Sequence, residues 1–149
     1  MSKVIQHRFD VWQEEPLYWD MMAGIDKRLY ESTISNNLIE LIKIRVSQIN
    51  KCAYCIDYHT TDALKHGETQ RRIFALSAWP ESPLFTEAER AVLEVVEEMT
   101  FIFNHGVSDQ VYQKLQSYFT QKEIADIMIC ISHMNFLNRI GISTKTMAL

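Results

Sequence analysis

Two cysteines, a histidine and a glutamate lie close together in the sequence and carry the groups that thiol redox chemistry requires. Cys52 and Cys55 form a Cys-x-x-Cys pair, and His59 follows Cys55 by four residues. Glu40 precedes the pair on a strongly apolar run. A thiolate is the reactive form of cysteine, and an imidazole or a carboxylate can move the proton that its formation releases. These four residues indicate a dithiol redox centre.

The chain around these residues predicts two consecutive helices. Apolar residues at helical spacing over residues 38–49 predict a mostly buried helix. A second helix is predicted over residues 53–65, because Gly67 follows at the position that glycine prefers after a helix end. Both cysteines then lie at or within the first turn of this second helix, where free backbone N–H groups and the helix dipole stabilise a thiolate. His59 falls one turn beyond Cys55, on the same face.

Helical patterns also cover the rest of the chain, and no segment has the sustained alternation of a strand. Pro16 suits the first position of an early helix. Two capping boxes, Thr86-x-x-Glu89 and Thr120-x-x-Glu123, each begin a further helix. The first of these is predicted to continue to Asn104-His-Gly106. We therefore predict an all-α fold of six or seven helices.

Length, composition and charge exclude several classes of protein. With 149 residues, 47% hydrophobic and 23% charged, residues 1–149 are predicted to form one domain. A net charge of −4 with scattered basic residues predicts no nucleic-acid partner. The lack of a signal peptide or membrane span predicts a cytoplasmic protein without a membrane partner. In that reducing compartment a Cys-x-x-Cys pair is more often catalytic or metal-binding than structural. No glycine-rich phosphate loop or flavin fingerprint is present, so no cofactor is predicted.

The segment Glu40-Leu-Ile-Lys-Ile-Arg-Val-Ser-Gln-Ile-Asn-x-Cys52-x-Tyr-Cys55-Ile-Asp-x-His59 resembles the core motif of the carboxymuconolactone decarboxylase superfamily, in its AhpD-like alkylhydroperoxidase branch. Shorter segments elsewhere are also similar to small members of that branch: Arg8-Phe-Asp10, Ala78-Trp79 with Pro83-Leu84-Phe85, and Asn135-x-x-Asn138-Arg139-Ile140. The resemblance covers most of the chain. It implies an AhpD-like helical fold that assembles as trimers, or as hexamers built from trimers or dimers.

The same resemblance implies a dithiol peroxidase with assigned residues. Cys55 matches the cysteine that attacks the peroxide, Cys52 matches the resolving cysteine, and His59 and Glu40 match the proton-relay pair. Attack of the Cys55 thiolate on a hydroperoxide gives an alcohol and a sulfenic acid, and Cys52 then closes a disulfide. The implied partners are a hydroperoxide and a dithiol electron donor, such as a lipoylated or thioredoxin-like protein.

One position departs from the family pattern. The founding AhpD enzymes have a histidine between the two cysteines, next to the second, where this chain has Tyr54. Tyrosine has an ordinary pKa of roughly 10 and is not a base near neutral pH unless that value is lowered substantially. We therefore expect weak peroxidase activity.

The candidate residues also have structural interpretations. Glu40 could be the third residue of a capping box if Asn37 is the N-cap, or form an ordinary helical ion pair with Lys43. Ser35 and Asn36 are the other candidates for that N-cap. A zinc site is a minor alternative, because its four ligands would all fall within one short segment: Cys52, Cys55, His59 and His66. No metal is predicted. Two further residues are expected to pack in the core, although His133 could also lie at a subunit interface: Cys130 and His133.

Three other functions are compatible with the sequence. A non-redox lyase of the carboxymuconolactone decarboxylase type would use His59 and Glu40 as acid and base on a small lactone. A general thiol-disulfide oxidoreductase would use the two cysteines with only weak peroxidase activity. A binding or assembly module would use neither. The dithiol peroxidase, acting in antioxidant defence on organic hydroperoxides and on hydrogen peroxide, is our leading prediction.

Overall fold

The computed structural model describes residues 5–148, and every regular element in that range is helical. Eight α-helices and one 3₁₀-helix follow in order: α1 Val11–Glu14, α2 Pro16–Tyr30, α3 Asn36–Asn50, α4 Ala53–Lys65, α5 Gln70–Ala75, the 3₁₀-helix Leu76–Glu81, α6 Glu87–Thr100, α7 Asp109–Gln116 and α8 Gln121–Thr144. The all-α prediction is confirmed. The predicted number of six or seven helices is too low, because α1 spans only four residues, too few for periodicity to reveal.

Helix α3 contributes side chains to two hydrophobic clusters of the described residues. Leu38, Ile42 and Val46 pack in the first cluster with residues of α2, α6, α7 and α8. Leu41 and Ile44 pack in the second with residues of α4, α5, the 3₁₀-helix and α6. A helix that is covered on most sides must be apolar on most sides, which explains the wide apolar pattern in its sequence.

A tight turn connects α3 to α4. Lys51 adopts a left-handed conformation with φ of 60°, which ends α3, and the N–H of Cys52 donates to the Ser47 carbonyl at 3.0 Å. Helix α4 then begins at Ala53 and ends at Lys65, with Gly67 at φ of 88° beyond it. The predicted break and the bounds of the second helix are confirmed.

The prediction that α6 continues to residue 104 is wrong. The helix ends at Thr100, and the next three apolar side chains are exposed: Phe101 42%, Ile102 54% and Phe103 80%. A longer helix would gain no burial from them. The chain instead turns back, and the Glu98 carboxylate accepts hydrogen bonds from the N–H and the hydroxyl of Ser108 at 2.7 and 3.0 Å.

The N-terminal segment is attached to the end of α8. The Arg8 N–H donates to the Thr144 carbonyl at 2.9 Å, and its guanidinium donates to the Ser143 carbonyl at 3.0 Å. These carbonyls belong to the last turn of α8, where helix carbonyls have no partner within the helix. Asp10 then caps α1 by accepting from the Trp12 N–H at 2.9 Å. Between residues 5 and 148, no helix has the length and apolarity needed to cross a membrane.

Candidate functional site

Cys52 and Cys55 lie where α4 begins, as predicted, and their sulfurs are joined in a disulfide. Cys52 is the N-cap residue of α4, and Cys55 lies in its first turn, with the two Cα atoms 5.3 Å apart. Both side chains are buried. On α8, Gly141 faces the pair, since a Cβ built there would lie 3.4 Å from Cys52 Sγ and 3.7 Å from Cys55 Sγ. The small size of Gly141 keeps α8 from covering the sulfurs with a side chain.

His59 and Glu40 meet in the interior although they lie 19 residues apart on different helices. His59 Nδ1 lies 3.0 Å from Glu40 Oε2, and both residues are buried, with 6% and 0% exposure. An ionised carboxylate only accepts hydrogen bonds, so His59 carries a proton on Nδ1 and leaves Nε2 free to accept one. The pair therefore has the geometry of a carboxylate-oriented general base.

The structural interpretations of Glu40 do not hold. Ser35, rather than Asn37, is the N-cap of α3, because its hydroxyl accepts from the Leu38 N–H at 3.3 Å. Glu40 is therefore not part of a capping box. Lys43 does not pair with Glu40 along the helix, since its Nζ donates instead to Asp26 Oδ1 of α2 at 2.7 Å.

A polar cluster behind the His59–Glu40 pair was not recognised in the sequence. Lys43, only 1% exposed, also donates to the Tyr30 hydroxyl at 3.1 Å. The Tyr30 hydroxyl in turn donates to Glu40 Oε1. His133 of α8 also approaches Asp26, with Nε2 3.5 Å from the same Oδ1, which is beyond normal hydrogen-bond length. The sequence feature that pointed to this cluster was Lys43, a lysine within a helix predicted to be mostly buried.

Burial and neighbouring charges shift the pKa of three groups near the site. Burial raises the pKa of Asp26, but His133 and the Lys43 ammonium outweigh that effect and lower it to about 2. Burial, followed by the bond to Glu40, raises the pKa of Tyr30 well above its ordinary range, so Tyr30 remains protonated. The prediction that Cys130 packs in the core is confirmed, since it is 1% exposed, and burial raises the pKa of its thiol to about 12, which disfavours the thiolate.

A cavity of about 190 Å³ opens beside the disulfide. Cys55, His59 and Asp26 line it, whereas Cys52 is not among its lining residues. Four aromatic side chains form much of the remaining wall: Trp12, Trp19, Tyr54 and Tyr58. The structure therefore brings the four predicted site residues together and gives Cys55 the direct access to the cavity. Within residues 5–148, no three His, Cys, Asp or Glu side chains are grouped as metal ligands.

Comparison with known proteins gives a consistent result. The model of the carboxymuconolactone decarboxylase family matches residues 15–98. The uncharacterized protein YdfG of Bacillus subtilis (strain 168) is 37% identical over 139 residues, which cover 93% of this chain and 95% of YdfG. Among solved structures, ATU0492 from Agrobacterium tumefaciens superposes with a TM-score of 0.93 at 30% identity, covering 97% of this chain and 99% of that one. ATU0492 is a protein of unknown function named as a candidate AhpD antioxidant defence protein.

For a more distant structure the likeness shows the fold alone. The debrominase Bmp8 superposes with a TM-score of 0.79 at 20% identity, covering 92% of this chain and 74% of that one. A fold of this kind can support more than one chemistry, so an activity has to be argued from the site.

Proposed function

We propose that this chain, which belongs to the carboxymuconolactone decarboxylase family in its AhpD-like branch, is a dithiol peroxidase that reduces organic hydroperoxides. One observation carries the proposal. Cys55 is bonded to Cys52 and lines a cavity that His59, oriented by Glu40, also lines. A nucleophile and a base thus line one space large enough for a small substrate, and the resolving thiol is bonded to the nucleophile.

The reaction begins from the reduced dithiol. His59 accepts the Cys55 proton at Nε2, and the thiolate attacks the terminal oxygen of the hydroperoxide. The O–O bond breaks, the alkoxide takes the proton from His59 and leaves as an alcohol, and Cys55 becomes a sulfenic acid. Cys52 then attacks the Cys55 sulfur, and the sulfenic hydroxyl leaves as water with the Cys52 proton. One hydroperoxide and two thiols give one alcohol, one water and one disulfide.

The cycle also requires partners. A dithiol donor, such as a lipoylated or thioredoxin-like protein, must reopen the disulfide by thiol–disulfide exchange. We also propose a homo-oligomer, trimer or hexamer. Its support is the apolar surface of α2, where Leu17, Tyr18 and Met21 are 70%, 56% and 62% exposed. Contiguous exposed apolar side chains on a stable protein commonly mark an interface.

The first test measures intact mass and peptide maps of the reduced protein before and after one equivalent of cumene hydroperoxide. We expect a loss of about 2 Da that maps to Cys52 and Cys55. Cys55→Ser should abolish hydroperoxide consumption, and Cys52→Ser should accumulate a sulfenic acid that dimedone traps on Cys55. Cys130→Ala is the matched control and should behave as wild type.

Two results would contradict the proposal. An unchanged mass, under conditions where a control dithiol oxidises, would contradict the proposed peroxidase function. Turnover retained by Cys55→Ser but lost by Cys52→Ser would reverse the two cysteine roles. Conversion of a lactone by a variant lacking both thiols would instead support the acid–base lyase, since His59 and Glu40 alone could carry that reaction.

A further inference from the structure

A chain of polar groups, buried or half-buried, continues beyond the two relay residues. It runs from Asp26 through Lys43 and Tyr30 to Glu40 and ends at His59. Lysine can only donate hydrogen bonds, and an ionised carboxylate can only accept them. Tyr30 must therefore accept from Lys43 and donate to Glu40, which leaves Glu40 Oε2 to accept from His59. One arrangement of protons satisfies the whole chain.

From this arrangement we propose that Tyr30 is a positioning residue of the dithiol site. Held by Lys43, it keeps Glu40 ionised and directed at His59 Nδ1, so that His59 offers Nε2 to the Cys55 proton. The inference rests on the proposed function, because it assigns Tyr30 a role in activating the same thiol.

The charges of the cluster support this role. The Lys43 ammonium forms its ion pair with Asp26 at 2.7 Å, and Glu40, which is 0% exposed, faces His59 Nδ1 at 3.0 Å. A cation formed beside Glu40 offsets the cost of burying its charge. Proton transfer from Cys55 to His59 forms that cation. A hydrogen bond from Tyr30 stabilises the ionised form of Glu40 on which this effect depends.

Tyr30 does not itself carry the proton. Burial and the bond to Glu40 raise its pKa, so loss of its proton to form a tyrosinate is strongly disfavoured. Other titratable groups border the chain from α4, its C-terminal end and α8: Tyr58, Asp62, His66, Cys130 and His133. These groups are unchanged by a substitution at Tyr30, so removing one hydroxyl isolates its contribution.

The test substitutes Tyr30→Phe and measures the rate of Cys55 alkylation by iodoacetamide in the reduced protein as a function of pH. We expect the pH midpoint to rise by about one unit, with alkylation roughly tenfold slower below the midpoint, as loss of a hydrogen bond to a charged group predicts. Tyr112→Phe removes a hydroxyl from another half-buried tyrosine and is the matched control. Its midpoint should equal that of wild type.

A second variant separates positioning from general damage and remains informative if Tyr30→Phe does not fold. Glu40→Gln removes the charge through which Tyr30 acts, so its midpoint should rise, and adding Tyr30→Phe should raise it no further. An unmoved Glu40→Gln midpoint, or a further rise in the double variant, would overturn the proposal. So would an unmoved midpoint in folded Tyr30→Phe.

The readout also distinguishes this inference from the proposed function. Alkylation requires no hydroperoxide, so the expected shift can be observed in a protein that does not reduce cumene hydroperoxide. That combination would contradict the proposed peroxidase function and support the role of Tyr30. Normal peroxidase turnover with an unmoved Tyr30→Phe midpoint would support the peroxidase function and contradict the role of Tyr30.

Discussion

Two clusters of charged side chains connect helices in this fold, and they differ in what lies beside them. The cluster of Asp26, Lys43 and Glu40 joins α2 to α3 and, through His59, to α4. A second cluster is centred on Arg72 of α5, which donates to Glu68 Oε1 at 2.9 Å and to the Leu84 carbonyl at 2.6 Å. Arg72 also forms an ion pair with Glu89 of α6.

The difference between the clusters is access to the cavity. Asp26 and His59 line the cavity beside Cys55, whereas no member of the Arg72 cluster does. The guanidinium instead lies 5.0 Å from the centre of the Phe85 ring, and Glu89 completes the capping box of α6 with Thr86. Similar residue types are thus used for structure in one place and are available for chemistry in the other. Burial of charge alone does not identify a reactive site.

The largest expected effect comes from Glu40→Gln, which removes a charge from the cluster beside the cavity. The amide lacks the charge that stabilises a protonated His59, so we expect turnover of cumene hydroperoxide to fall about 100-fold, within the range for a general base. Glu89→Gln makes the same change in the Arg72 cluster and should lower the melting temperature without changing turnover. Steady-state kinetics and thermal unfolding of both variants measure the two effects. Equal losses of turnover would show that the clusters do not differ in function.

The second effect concerns stability. Arg72→Met leaves two carboxylates without their cation, Glu68 and Glu89, of which Glu68 is buried. We expect the free energy of unfolding to fall by about 2–3 kcal/mol, somewhat below the loss for a fully buried pair because Arg72 is partly exposed. Urea denaturation measures this value. Cys55 alkylation should follow the wild-type pH profile, and a displaced profile would mean that the Arg72 cluster influences the site.

The sequence predicted local features of both regions better than contacts between helices. Gly67 and the capping boxes at Thr86 and Thr120 act within a few residues, so their positions follow from spacing alone. The partner of Lys43 lies 17 residues away on α2, and a pattern within α3 could not reveal it. Phe101–Phe103 continued an apolar pattern, but only the folded chain determines that no core surface remains to cover them.

The site was predictable for a related reason. Three of its four proposed residues, Cys52, Cys55 and His59, lie within one short segment, so spacing along a helix was sufficient to group them. Tyr30 and Gly141 approach that segment from helices that are distant in sequence, and nothing in the residues around them marks either one as part of a site. No local pattern distinguishes them. Contacts that depend on tertiary packing are the part of a site that a single sequence does not show.

A third prediction uses acid to compare the two clusters. The pKa of Asp26 is lowered from 3.8 to about 2. Burial raises the pKa of Glu89, but hydrogen bonds to Arg72 and Thr86, together with the Arg72 charge, outweigh burial and lower that pKa. Both carboxylates therefore contribute stability that is present above their unfolded-state pKa and is lost as pH falls through their folded-state values. For Asp26 the contribution is roughly 2 kcal/mol. The gap in unfolding free energy between wild type and Asp26→Asn should shrink between pH 6 and pH 2, as measured by urea denaturation of the oxidised protein. A gap that stays constant over this range would show that Asp26 is not an ionised partner of Lys43.

The smallest expected effect is a gain at the cavity wall. Tyr54 lines the cavity and is 37% exposed, so Tyr54→His should change the free energy of unfolding little. An imidazole there can accept a proton near neutral pH, which a phenol cannot, and we expect hydroperoxide turnover to rise about three- to tenfold. Tyr118→His places the same group at an exposed tyrosine outside the cavity and should leave turnover unchanged. If Tyr54→His has no effect, the His59–Glu40 pair already supplies the base that the reaction needs, and Tyr54 would not explain weak activity. If both variants raise turnover equally, the gain does not depend on placing the imidazole at the cavity.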